Sequence, residues 1–77
     1  MDAPKFETKD DKEPTLEYLQ EFVGGYVEAQ YLPKKEMILI NEDGRRLNLP
    51  FNVKASVYAG FEILGNAILL KGKAVLT

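Results

Sequence analysis

Tyr26-Val27-Glu28-Ala29-Gln30-Tyr31-Leu32-Pro33-Lys34-Lys35-Glu36-Met37-Ile38-Leu39-Ile40-Asn41-Glu42-Asp43-Gly44-Arg45-Arg46-Leu47-Asn48-Leu49 is the stretch that decides the fold. Tyr26 to Leu32 alternates, with Val27, Ala29 and Tyr31 on one face and Tyr26, Glu28 and Gln30 on the other, the period of a half-buried strand. Leu32-Pro33-Lys34-Lys35 is the turn. Glu36 to Asn41 follows as a nearly continuous apolar run, which suits a central strand covered on both sides. Asp43-Gly44 then stands in the position of a tight turn, and Arg45 to Leu49 reads as the returning strand of a second hairpin. Pro50 ends that pairing because it has no N–H to donate.

Upstream, Thr15-Leu16-Glu17-Tyr18-Leu19-Gln20-Glu21-Phe22-Val23 reads as a helix, with Thr15 as N-cap and Glu17 at the positive end of the dipole. Leu16, Leu19 and Val23, with Phe22 beside them, make its apolar stripe. Gly24-Gly25 ends it, since glycine takes the left-handed position after a helix without a Cβ penalty. Before it, residues 1–13 are charge-dense and read as a flexible leader. The alternation of Lys5-Phe6-Glu7-Thr8-Lys9 offers an edge strand there instead, with Phe6 inward.

Downstream, Asn52 can cap a short helix, Val53 to Ala59, closed by Gly60, with Val53, Ser56 and Val57 facing inward. Residues 61–77 then read as one or two strands broken by glycine turns. The expected fold class is therefore α+β: an N-terminal helix, a small, mostly antiparallel sheet of about four or five strands, and a short second helix. The domain is expected to span residues 14–77.

The chain has 77 residues, 45% of them hydrophobic, and contains neither cysteine nor histidine. That excludes a disulfide framework, zinc-finger spacing, a Cys or His nucleophile and an imidazole base. Ser56 is the single serine, so no Ser/His/Asp device can be assembled. No catalytic residue, metal site or cofactor is expected. The formal charge of −2 lies wholly in residues 1–13, where Asp2, Glu7, Asp10, Asp11 and Glu13 face Lys5, Lys9 and Lys12. The remainder is balanced and offers no field for a polyanion, which disfavours nucleic acid. No apolar run approaches a membrane span or a signal peptide, so no membrane partner is expected and the expected location is cytoplasmic.

Three sets of residues could carry function. Glu28 and Glu36, on strands that could be neighbours, could act as a pair of carboxylates in a minimal hydrolase. Arg45 and Arg46 could hold a phosphate or carboxylate, supported by Lys54, Tyr58 and Tyr31. In a strand, however, adjacent residues point to opposite faces, so only one of the two arginines would serve. Glu42-Asp43-Gly44 lacks the acid spacing of a calcium loop, and Gly24-Gly25 follows a helix where a phosphate cradle would precede one. Third, four Tyr and four Phe exceed what so small a core must contain. Exposed aromatics beside an unpaired sheet edge suit a protein partner or a second copy of the chain, by strand addition.

The segments Gly25-Tyr26-Val27-Glu28, Ile40-Asn41-Glu42-Asp43-Gly44, Leu47-Asn48-Leu49-Pro50-Phe51-Asn52 and Ile63-Leu64-Gly65-Asn66-Ala67 resemble a family of small bacteriophage- and bacterium-encoded domains of unknown function. The resemblance runs from Thr15 to Thr77. It implies a phage accessory protein acting in the cytoplasm of a host cell, and it brings with it no catalytic or ligand residue. A non-enzymatic module that binds a host or phage protein, or pairs as a homodimer, is the first expectation; a binder of a phosphorylated or nucleotide-like metabolite is the second, and the carboxylate hydrolase the third.

Overall fold

The computed structural model describes residues 3–76, with elements in the order β1 (Phe6–Lys9), α1 (Leu16–Val23), β2 (Val27–Leu32), β3 (Glu36–Asn41), α2 (Val53–Ala59) and β4 (Ala67–Leu70). The fold is α+β, with one mixed sheet ordered β1-β4-β3-β2. Its two inner strands are the two apolar runs, and a strand that is apolar on both faces must be covered on both. On one face Met37, Leu39, Ile68 and Leu70 pack with Leu19 of α1 and with Ala74. On the other, Ile38 and Ala67 pack with Ala55 of α2 and with Ile63. β2 and β3 pair antiparallel from Val27 opposite Asn41 to Leu32 opposite Glu36, joined by the turn Pro33–Lys35. β3 and β4 are also antiparallel, whereas β1 runs parallel to β4.

The caps form where the sequence places them. Thr15 Oγ1 accepts the Tyr18 N–H at 3.2 Å, and Gly24 takes the left-handed position with φ 81°. Asn52 Oδ1 accepts the Ala55 N–H at 3.1 Å. Its Nδ2 donates to the carbonyls of Lys5 and Gly65 at 3.0 and 2.8 Å, tying the start of α2 to β1 and β4.

Four expectations are corrected. A strand precedes the first helix: within the segment read as leader, the edge strand offered by the alternation of Lys5 to Lys9 forms, with Phe6 opposite Ala67 and Lys9 opposite Leu70. Both faces hold it there. Phe6 packs on Tyr58 with ring centroids 5.8 Å apart, while Tyr18 donates to Glu7 at 3.3 Å and lies under the Lys9 ammonium. Met1 and Asp2, also part of that leader, lie outside the described residues.

The second hairpin does not form. β2 and β4 occupy both sides of β3, so Arg45 to Leu49 has no edge to return to. It folds into successive turns, with Leu47 N–H on the Asp43 carbonyl at 2.8 Å and Leu49 N–H on that of Gly44 at 2.9 Å. Of the final strands, Leu64 keeps a bridge to Phe51, β4 forms in full, and Gly72–Ala74 is a helical turn; Thr77 lies outside the described residues.

The inward faces of both helices also differ. Leu16 is 60% exposed, so α1 packs on the sheet through buried Leu19 and Val23 and half-buried Phe22. In α2, Val53 and Val57 point outward, the latter 79% exposed, and Ala55 and Ala59 meet the sheet. The bonds of Asn52 fix the rotation of α2, and the Ser56 hydroxyl secures it by accepting the Ile63 N–H at 2.8 Å. The small alanines then allow a close approach that valine would obstruct.

Candidate functional site

The turn after β3 is built on a buried side chain. Asn41 donates through Nδ2 to the Val23 carbonyl at 3.0 Å and accepts the Asp43 N–H on Oδ1 at 2.8 Å, so the turn is anchored to the end of α1. From it Asp43 receives Arg46, with Nε on Oδ1 at 3.3 Å and Nη2 on Oδ2 at 3.1 Å. Arg45 reaches Glu62 Oε1 at 2.6 Å. These groups border a groove of 520 Å³ with Glu28, Gln30 and Ile40 from the sheet and Phe61 opposite. The hydrogen bond from Arg46 holds the Asp43 carboxyl below its ordinary range, and the same bond raises the Arg46 guanidinium. Both arginines thus already have carboxylate partners. Glu28, Glu42, Asp43 and Glu62 outnumber them in the lining, a poor field for an anionic ligand.

Because Arg45 and Arg46 lie in a turn and not in a strand, both reach the groove. The other three expected residues lie elsewhere. Lys54, on α2, borders a separate hollow with Phe6 and Phe51. Tyr58 donates its hydroxyl to Glu36, a bond that, with some desolvation, raises its pKa above the ordinary phenol value. Tyr31 sits opposite Met37, on the face that α1 covers, and is 78% exposed beyond that cover. The carboxylate pair is not assembled either. Glu28 faces Ile40 and Glu36 faces Leu32, four steps along the ladder and about 13 Å apart at strand rise. Among the described residues no group of three or more Asp or Glu is placed to hold a metal ion, and no helix is long and apolar enough to cross a membrane.

The open side of β2 is the second feature. It is the last strand on its side of the sheet. One bond fixes its backbone directions: the Glu42 N–H donates to the Tyr26 carbonyl at 3.0 Å, the next rung of the ladder that pairs Val27 with Asn41. Hydrogen-bonded and non-hydrogen-bonded pairs alternate in an antiparallel ladder. Tyr26, Glu28, Gln30 and Leu32 therefore direct their backbone groups at β3, while Val27, Ala29 and Tyr31 direct theirs outward. Among the described residues no strand meets them there. Tyr26, 68% exposed, and Tyr31 flank this edge.

The sequence profile of a domain of unknown function, DUF3846, matches residues 2–77. The chain belongs to the DUF3846 family. No curated protein and no solved structure matches it. In this DUF3846 domain the open bonding groups of Val27, Ala29 and Tyr31 belong to the main chain, so no side-chain motif marks them. The alternation of Tyr26 to Leu32 carries the signal, but which alternate set points outward follows only once β3 is known as its neighbour among the described residues.

Proposed function

We propose that this DUF3846 domain is a non-enzymatic interaction module, an accessory protein of a phage or its bacterial host, that takes a strand from a protein partner along the outer side of β2. The observation that carries this is the row of outward N–H and C=O groups at Val27, Ala29 and Tyr31, bordered by two exposed tyrosines. Main-chain bonds supply affinity in strand addition, and alternate side chains supply choice of partner. The two edges of the sheet support this by their contrast. β1 is four residues long and carries Glu7 and Lys9, the short, charged form that resists pairing. β2 is six residues long with Glu28 its single charge.

Selection from a random peptide display library tests the reading. Bound peptides should alternate apolar residues and protect the amides of Val27, Ala29 and Tyr31 from hydrogen exchange. Ala29→Pro removes an outward N–H that β3 does not use, so it should abolish capture while the domain remains folded. Peptides that bind the Ala29→Pro variant unchanged would refute it.

A further inference from the structure

We infer that the strand β2 accepts is β2 of a second copy, in one register, with the two-fold axis passing through Ala29. This rests on the edge proposed above and names its occupant. Side chains directly opposite in a continuous antiparallel sheet share a face, so the numbers of paired residues must have an even sum. The outward backbone groups of Val27, Ala29 and Tyr31 satisfy that condition among themselves. With Ala29 facing Ala29, Val27 faces Tyr31, Glu28 faces Gln30 and Tyr26 faces Leu32, and each of these pairs recurs across the axis. Val27 with Tyr31 and Ala29 with Ala29 are the hydrogen-bonded pairs, closing about six main-chain bonds. Tyr26 with Leu32 and Glu28 with Gln30 are the non-hydrogen-bonded pairs, where side chains approach more closely.

The neighbouring registers are worse for identifiable reasons. An axis through Glu28 sets Glu28 against Glu28, a like-charge pair at the closest side-chain spacing. An axis through Gln30 sets Glu28 against Leu32 and carries Val27 onto Pro33, which has no N–H. Only the Ala29 register joins an aromatic to a β-branched residue, gives Tyr26 an apolar neighbour, and puts each Glu28 beside an amide that already donates to a Glu28 carboxylate within the chain at 2.5 Å. Tyr26 and Tyr31, two of the most exposed apolar side chains, are both covered.

Because the chain contains no cysteine, a single introduced thiol reads the register directly. Opposed residues of a hydrogen-bonded pair have Cα atoms about 5.5 Å apart, within disulfide range. At about 100 µM protein, where a small interface of micromolar affinity is populated, light scattering should report a dimer. Oxidised glutathione should crosslink Ala29→Cys rapidly. Tyr31→Cys, with its two sulfurs about 13 Å apart, should not crosslink. Gln30→Lys, which faces Glu28 twice, should tighten dimerisation about tenfold, and Gln30→Glu should weaken it about tenfold. Equal crosslinking of the two cysteine variants, or opposite effects at Gln30, would overturn the register. A monomer that forms no crosslink through Ala29→Cys but still binds selected edge peptides would overturn self-pairing and leave the open edge of β2 as a partner site. Loss of both would remove both.

Discussion

Replacing Asn52 by alanine should destabilise the domain by about 3 kcal/mol, a large share of the ~4–12 kcal/mol expected for a chain of this length. Asn52 is 2% exposed, and its side chain joins three segments. Loss of the cap on Ala55 costs about 1 kcal/mol. The Lys5 carbonyl keeps the Ala67 N–H as donor, so losing Asn52 removes a supplementary bond worth about 0.5 kcal/mol. The Gly65 carbonyl depends on Nδ2 at 2.8 Å, and leaving it bare beneath α2 costs about 1.5 kcal/mol. Urea unfolding followed by circular dichroism measures the total: with a slope of about 1 kcal/mol per molar, the midpoint should fall by about 3 M. Asn52→Asp separates the contributions. It retains the capping oxygen, and in an isolated helix Asp caps as well as Asn. Here it would lose both donated bonds and bury a charge facing two carbonyl oxygens, so it should be at least as destabilising as alanine. An Asn52→Asp variant within about 0.5 kcal/mol of the parent would refute the view that Asn52 acts as a junction and not merely as a cap.

Gly65→Ala should cost about 2 kcal/mol, because Gly65 has φ +83° and an added Cβ would lie 2.7 Å from Leu49 Cδ1; thermal unfolding checks it. Val57→Lys should leave stability within about 0.5 kcal/mol, whereas Ala55→Leu should lose about 1–3 kcal/mol by overpacking, the reverse of what hydrophobicity alone suggests; denaturant melts of the two variants decide it. An absorbance titration should show Tyr58 ionising above the ordinary phenol value of 10.0, and Glu36→Gln should lower its pKa toward that value. Since folding raises its pKa, the stability contributed by its bond to Glu36 is complete below the unfolded value of 10.0 and is lost as pH rises through the folded one.

The parts of the fold legible in the sequence are those whose causes are local. The period of Tyr26 to Leu32, the apolar run of β3, and the caps Thr15 and Asn52 with Gly24 and Gly60 beyond them require no knowledge of distant residues. β1 is different. Its partner, Ala67 to Leu70, lies some 60 positions away, so the alternation of Lys5 to Lys9 offers an edge strand but does not decide it against a solvated leader. Asp43-Gly44 is a sound turn signal followed by the wrong strand, because β4, read later in the chain, already occupies the side of β3 that a returning strand would need. Val53 and Val57 are misplaced by hydrophobicity because the bonds of Asn52, not apolar area, set the rotation of α2. The same limit governs the site. Arg45 and Arg46 come together only because they are in a turn, and Tyr31, on the same face as buried Met37, is nonetheless 78% exposed.

The charge asymmetry of the chain acquires an address in the fold. Residues 1–13 hold the whole net charge, and within them the described residues 3–13 form and flank β1. Two copies approaching through their β1 edges would bring these acidic segments together, and like charge at close range works against the encounter before any main-chain bond can form. At the β2 edge the only charge is Glu28, and a register exists that pairs it with an amide. The pairing proposed at β2 thus lies on the side of the sheet away from the charged segment that forms β1 beside β4. With no cysteine, no histidine and both groove arginines already paired with carboxylates, the proposal rests on the main-chain groups of the β2 edge and not on side-chain chemistry.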